Sequence, residues 1–177
     1  MNFHELALAR QSCRKYNSSK IIDDETIRQI LEIARLAPSA CNSQAYNITV
    51  CKNNTAKLVA KETQAMGMNK FTDDAPIMLV ISESNFTLSA KFGSIVKKND
   101  YRSIDIGILA AYITAAATEM GIGSCILGWF NDSAIRKICD IKSPVKLVIA
   151  LGYPANEAKE IRTKKRKELG EFVNIID

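Results

Sequence analysis

The spacing of apolar residues predicts a chain in which helices and strands are mixed. Residues 3–10 form a short predicted helix, and Asp23 is a helix-capping residue directly before a longer one that ends at Pro38. Helical spacing defines the apolar face of the longer helix, which comprises Ile27, Ile30, Leu31, Ile33 and Ala34. Two further short helices are predicted over 55–64 and 132–139.

The longest apolar stretch predicts a helix from Tyr101 to Met120 that is rich in alanine and apolar on nearly every side. Gly121 ends it, because glycine readily adopts the left-handed conformation of a helix C-terminus. A helix without a polar face must be surrounded, so we expect its own sheet on one side and a second subunit on the other. Polar residues such as Asp105 and Glu119 argue against a membrane span.

Short apolar runs predict the strands, and the run over 145–151 has the β-branched and aliphatic residues of a central strand. The predicted strands are 46–51, 77–81, 125–127, 145–151 and 172–176. The last follows a charged segment and needs a sheet to pair with, in this chain or in another. Residues 84–100 are polar and predict a loop with one helical turn. Since no repeat or Pro/Gly-rich linker interrupts the chain, we expect a single domain over 1–177.

The composition excludes several classes of site. Hydrophobic residues make up 47% of the chain and charged residues 24%, which is typical of a soluble globular protein. The single histidine, His4, gives no support to a site with several imidazoles, and a Ser-His-Asp triad would have to use it. Five cysteines without a C-x-x-C pair argue against a disulfide framework or an iron–sulfur cluster. With an N-terminus unlike a signal peptide, these features predict a cytoplasmic protein without metal.

The net charge of +5 is concentrated near the C-terminus. Residues 159–167 hold six bases and one acid, whereas the rest of the chain holds equal numbers of bases and acids. Nucleic-acid-binding proteins usually spread their bases over a face, and single-strand binding uses aromatic residues that this segment lacks. We therefore expect a local anionic ligand and no nucleic acid.

Two polar stretches are candidate ligand sites. In RQSCRKY, Arg10, Ser12 and Arg14 alternate after a helix, and alternate side chains of an extended chain point the same way. Two arginines and a hydroxyl suit a phosphate or another anion. PSACNSQ, residues 38–44, offers uncharged donors and acceptors, which suit a sugar, a polyol or the edge of a heterocycle. Each stretch taken alone is also compatible with an ordinary solvated loop.

The glycines of GIGSCILG do not form the dinucleotide-binding fingerprint. Ile126 stands at the third glycine position, and the motif follows a predicted helix where a strand is required. Gly121 and Gly123 are instead predicted to be a helix cap and a turn. Gly128, directly after a predicted strand, is a candidate for close backbone approach to a flat ligand.

The order of these stretches resembles the flavin-dependent nitroreductase family. RQSCRKY, APSACNSQ, IDIGILAAYITAAATEMGIGSCILGW, ALGYP and KKRKELGEFV follow one another over essentially the whole chain, with a gap between 53 and 99. The resemblance implies an α+β fold with a mixed, mostly antiparallel sheet flanked by helices. It also implies an obligate homodimer that exchanges its C-terminal strand, and one FMN at each of two interface sites.

The resemblance also implies a role for individual residues. In the family, the FMN phosphate is held at the positions of Arg10, Lys164 and Arg166. The C-terminal tail, which carries the last two, is expected to reach across the interface of the homodimer. Gln11 and Ser12 stand on the ribityl and isoalloxazine side, and Arg14 stands where the family keeps a cation near N1 and O2, which suits the negative charge of reduced flavin. The loop that the second subunit contributes to the same flavin comprises Pro38, Ser39, Ala40 and Asn42. The strand end that faces N5 comprises Leu127 and Gly128.

The implied activity is an NAD(P)H oxidoreductase with alternating half-reactions. NADH or NADPH passes a hydride to flavin N5, and a nitroaromatic, quinone or similar small molecule then takes the electrons. No side chain is assigned a catalytic role, because the cofactor carries the chemistry. Leu127 departs from the acidic residue of larger members, and there is little room for their roofing insertions, so a flavin-binding or redox-sensing protein with little turnover is the alternative. Phe86, Phe92 and Tyr101 are candidates for the acceptor pocket.

Overall fold

A computed structural model describes residues 1–85, 99–156 and 160–176 of the chain. The helices in these ranges are α1 (Phe3–Ala9), α2 (Asp24–Ala34), α3 (Asn53–Lys61), α4 (Tyr101–Glu119) and α5 (Asp132–Cys139). The strands in the same ranges are β1 (Tyr46–Lys52), β2 (Ile77–Glu83), β3 (Gly123–Leu127) and β4 (Val145–Gly152). Apart from the C-terminal strand, each predicted element is present, with ends that differ by a few residues.

The four strands form one sheet in the order β1-β2-β4-β3, and each neighbouring pair is antiparallel. The two central strands, β2 and β4, are almost completely buried. A parallel bridge between Ser12 and Ser124 adds the N-terminal segment beside β3. The predicted α+β architecture with a mixed, mostly antiparallel sheet is therefore confirmed.

Helices cover both faces of the sheet. On one face, Ile77, Leu79 and Ile81 of β2 pack in a core with α2 and α4. On the other face, Met78 and Val80 pack with α3 and α5. The alternation along β2 follows from the two-residue period of a strand, so a continuous apolar run supplies two separate cores.

Helix α4 has the all-round apolar character that its sequence predicts. One side is buried against α2 and the sheet, whereas Ile104 is 49% exposed and Tyr112 is 37% exposed in the single chain. Gly121 adopts φ +72°, and the N–H groups of Gly121 and Ile122 donate to the carbonyls of Thr118 and Ala117. This is the Schellman ending expected of a glycine-terminated helix. The second subunit expected on the exposed side of α4 stays a prediction.

The structure corrects two expectations about individual elements and leaves a third, the C-terminal strand, untested. Residues 172–176 form no strand in the single chain, and Ile176 is 92% exposed, because no neighbouring strand is available to pair with them. Exchange of this segment between subunits stays a prediction. Helix α3 ends at Lys61 rather than at residue 64, because the backbone N–H groups of Glu62, Thr63 and Gln64 donate to carbonyls three residues back instead of four. Gly123 begins β3 and is not a turn.

Two of the residues suggested for the acceptor pocket, Phe86 and Phe92, lie outside the described residues. Tyr101, the third, is the first residue of α4 and is half-buried. Of the predicted loop 84–100, the structure describes only the first two and the last two residues. Within the described ranges, no helix has the length and apolar character that a membrane span requires.

Candidate functional site

The N-terminal candidate segment is held against β3 by backbone contacts. The N–H of Cys13 donates to the carbonyl of Ser124 at 2.8 Å, next to the bridge between Ser12 and Ser124. Cys13 is only 5% exposed, and a Cβ on Gly123 would lie 2.8 Å from both its Cβ and its Sγ. Gly123 is therefore a point of close approach, which explains why a glycine stands there without forming the predicted turn.

Further along, Tyr16 fixes the segment to the end of β4. Its hydroxyl donates to the Ala150 carbonyl at 3.2 Å, and its ring lies against Gly152, where a Cβ would come within 2.7 Å of the ring. The N–H of Asn17 donates to the Tyr153 carbonyl at 2.8 Å. Beside the buried Cys13, Arg14 is exposed and Ser12 is half-buried.

The C-terminal basic segment lies on this N-terminal segment of its own chain. Gln11 donates through Nε2 to the Glu160 carbonyl at 2.7 Å, and its Oε1 accepts from the backbone N–H of Arg162 at 3.1 Å and from Nε of Arg162 at 3.2 Å. The Arg162 guanidinium also donates to the Ser12 carbonyl at 2.6 Å. The Gln11 side chain, expected to face the flavin, thus joins the two ends of the chain. In the single chain, residues 160–164 contact the N-terminal segment of the same chain, and the expected crossing of the C-terminal tail to a second subunit stays a prediction.

Lys164 lies at the C-terminal end of α1. Its Nζ donates to the Ala7 carbonyl at 3.1 Å and also to the Leu8 carbonyl, two acceptors that the helix leaves free. Desolvation, followed by the positive charges of Arg10 and Arg166, lowers the pKa of Lys164. The three predicted phosphate ligands are therefore close enough to repel one another.

These cations surround one cavity of about 370 Å³. It is lined by Arg10, Gln11, Ser12, Arg14, Arg162, Thr163, Lys164, Lys165 and Arg166. No carboxylate lines it, and within the described ranges none of its six cations forms an ion pair. A second cavity of about 280 Å³ shares Gln11, Ser12, Arg14 and Arg162 with the first. Such an excess of positive charge around an open space suits a multiply charged anion.

The predicted strand end belongs to β3, the edge strand beside which the N-terminal segment with Arg10 and Arg14 lies. Leu127 is buried at the end of β3, whereas the next residue, Gly128, is exposed and a Cβ there would meet nothing within 4 Å. Gly128 follows Ser124 by four residues, which is about 13 Å along an extended strand. The cations and the open backbone at Gly128 could thus contact the two ends of one elongated ligand.

The loop predicted to contact a second flavin is separate from the cation cluster. Pro38, Ser39, Ala40 and Asn42 do not line either of the two cavities. The loop contains a short 3₁₀ turn, Ala40–Asn42, and three left-handed residues that are not glycine: Cys41, Asn42 and Gln44, with φ of 50°, 49° and 46°. Each such residue costs roughly 1–3 kcal/mol, so the surrounding structure must impose this conformation.

Four of the five thiols are held in the unreactive protonated form. Burial raises the pKa of Cys13, Cys51, Cys125 and Cys139, in the case of Cys51 to about 12. A nucleophilic cysteine needs a lowered pKa. His4 lies exposed on α1. Among the described residues, no group of three or more His, Cys, Asp or Glu side chains could hold a metal ion.

Sequence reasoning missed two residues of the site. Arg162 is one of several neighbouring bases and lies before KKRKELGEFV, the C-terminal motif that resembles the family and begins at Lys164. The resemblance therefore did not select it. Asp105, which binds the loop through the Ala40 amide, was noted only as a polar interruption of an apolar helix. A carboxylate at a helix position that the apolar pattern marks as internal is the signal that could have singled it out.

Comparison with known proteins decides the family. Residues 7–153 match the sequence profile of the Nitroreductase family, which covers most of the chain. The chain belongs to the nitroreductase family. An NADH dehydrogenase from Thermus thermophilus is 26% identical to this family member over 179 residues, covering 85% of this chain and 86% of the relative.

Solved structures show the same nitroreductase fold. A nitroreductase family protein from Streptococcus pneumoniae TIGR4 superposes with a TM-score of 0.82 over 99% of this chain and all of its own, at 23% identity. An FMN-dependent nitroreductase from Clostridium difficile R20291 superposes with a TM-score of 0.73, covering 97% of this chain and 98% of that one at 24% identity. At these identities, the likeness establishes the fold.

Proposed function

We propose that this protein is an FMN-dependent NAD(P)H oxidoreductase that reduces an electron-poor small molecule such as a nitroaromatic or a quinone. The observation that carries the proposal is a cavity that is lined by six cationic side chains and by no carboxylate. Membership of the nitroreductase family and the FMN dependence of the Clostridium difficile protein support it.

The residues present fit the phosphate end of FMN. A phosphate monoester carries close to two negative charges and accepts several hydrogen bonds, so it needs more than one base. Arg10 and Arg166 line the cavity, and their positive charges add to desolvation in lowering the pKa of Lys164. An anion among the three would relieve their mutual repulsion. This arrangement supports a phosphate as the ligand of these residues.

The rest of the site fits the remainder of the cofactor. Arg14, exposed and shared by both cavities, offers a guanidinium for the electron-rich edge of a flavin ring, and Gly128 leaves room for a flat group near backbone. When bound, FMN supplies the atom that accepts and passes on the hydride. The chain's part is to bind and orient the flavin ring.

The absorbance spectrum of the purified protein tests this proposal. We expect flavin absorption bands in the protein as isolated or after addition of FMN, and rapid bleaching of these bands when NADH or NADPH is added anaerobically. A colourless protein that takes up no FMN would contradict the proposal. Stopped-flow reduction separates an enzyme from a flavin-binding protein with little turnover, because the latter reduces too slowly to support catalysis.

The lowered pKa of Lys164 predicts proton uptake on FMN binding. The phosphate favours the charged ammonium form and so raises this pKa again. Between the lowered pKa and the pKa in the complex, binding takes up a proton, and the affinity for FMN falls as pH rises through this range. Titration calorimetry in two buffers of different ionisation enthalpy measures the uptake. Lys164→Met should abolish it, and uptake equal to that of the parent protein would contradict the prediction.

A further inference from the structure

A buried carboxyl group fastens the loop 38–44 to helix α4. Asp105 is 3% exposed, and its Oδ1 accepts a hydrogen bond from the backbone N–H of Ala40 at 3.0 Å. Its other oxygen, Oδ2, is buried and makes no hydrogen bond to the described part of the chain. Burial of a carboxyl group costs free energy that a single hydrogen bond only partly offsets. The side chain therefore contributes little to general stability, and its position calls for another role.

The loop needs an external support. Its internal hydrogen bonds include those from the Gln44 N–H to Ser39 Oγ at 3.0 Å, from Gln44 Nε2 to Asn42 Oδ1 at 3.1 Å, and from the Asn42 N–H to the Ser39 carbonyl at 3.0 Å. These bonds close the loop on itself but do not determine where it lies on the protein. The hydrogen bond from Ala40 to Asp105 links it to a helix 65 residues away in sequence. The left-handed residues then follow directly after this attachment.

Asp105 also acts on the other end of the loop. Tyr46, the first residue of β1, has its hydroxyl buried without a hydrogen bond to any described residue. Desolvation, followed by the negative charge of Asp105, raises the pKa of Tyr46. The carboxyl group thus bonds to Ala40 within the loop, and its charge acts on Tyr46, the first residue of the strand that follows.

We propose that Asp105 is a positioning residue that holds the loop 38–44 in the conformation with which it contacts the flavin. The inference rests on the proposed function, because the contact between this loop and FMN is part of that proposal. Asp105 itself touches neither of the two cavities and acts through the Ala40 amide.

Hydrogen exchange and FMN affinity together test this role. In FMN-free protein, we expect amides of residues 39–45 to exchange roughly tenfold faster in Asp105→Ala, because the hydrogen bond to Ala40 is lost. Asp105→Asn keeps an acceptor for this amide and should stay within about threefold of the parent protein. The affinity for FMN should fall in Asp105→Ala and recover in Asp105→Asn.

A matched variant separates positioning from general destabilisation. Asp100 caps the same helix by accepting the Ser103 N–H at 3.1 Å, so Asp100→Ala should weaken α4 without faster exchange in the loop. Unchanged loop exchange in Asp105→Ala would overturn the inference, as would an equal loss of FMN affinity in Asp100→Ala. If loop exchange responds as expected but the parent protein binds no FMN, the proposed function fails, and the flavin part of the inference fails with it.

Discussion

Arg166→Ala is expected to weaken FMN binding by about 10- to 100-fold, the loss that accompanies removal of a hydrogen-bonded charge partner. Arg166 lines the cavity together with Arg10 and Lys164, and among the described residues its guanidinium donates to the carbonyl of the preceding residue, so we expect its removal to leave the packing between elements unchanged. The thermal stability of the FMN-free protein should therefore remain close to that of the parent. Fluorescence titration with FMN measures the effect.

Riboflavin provides the control for this experiment, because it lacks the phosphate. Its affinity should be the same for Arg166→Ala and the parent protein. Arg35→Ala is the matched variant, since Arg35 is exposed, pairs with Glu32 at 2.6 Å and does not line the cavity. An equal loss of affinity for FMN and riboflavin, or no loss for FMN, would show that Arg166 does not bind the phosphate.

Gly123→Ala is expected to lower the free energy of unfolding by about 1–3 kcal/mol, the usual cost of an added methyl group in a packed interior. The new Cβ would lie 2.8 Å from Cys13 and 3.1 Å from Pro154, so the segment that carries Arg10, Ser12 and Arg14 has to move. FMN binding should weaken for the same reason. Urea denaturation of the FMN-free protein and flavin titration measure the two effects.

Gly107→Ala is the control for the glycine substitution. Gly107 lies inside α4, and a Cβ there would meet nothing within 4 Å. We expect this variant to be more stable than the parent by about 0.5–1 kcal/mol, because alanine loses less conformational entropy in a helix. If Gly123→Ala were as stable as the parent protein, the close approach of Cys13 to β3 would not restrict this position.

The elements were predictable where the pattern is local. The apolar face of α2 and the buried runs of β2 and β4 follow from spacing alone, since a residue's side of a helix or strand depends only on its neighbours in sequence. The Gly121 helix ending was predictable for the same reason. The strand at 172–176 stays a prediction, because a strand exists only through hydrogen bonds to another strand, and the single chain provides none for this segment.

The candidate site was predictable in its members but not in its connections. Resemblance to the family selected Arg10, Arg14, Lys164 and Arg166, and the structure places all four around one cavity. Their assignment as FMN ligands stays a prediction. The hydrogen bonds of Gln11 to the backbone of the basic segment could not be derived, because the spacing of residues along the chain does not say which distant backbone groups a side chain meets.

By itself, the sequence determined the helices and central strands, the concentration of positive charge within 159–167 and the family that the motifs resemble. Only the tertiary structure decided that residues 160–164 lie against residues 7–12 and that Cys13 packs closely against Gly123. It alone also decided that Asp105 supports the loop 38–44. The physical reason is the range of the interactions. Hydrophobic periodicity and helix caps act over a few residues, whereas these contacts join groups up to 157 residues apart and form only when the packed sheet brings them together.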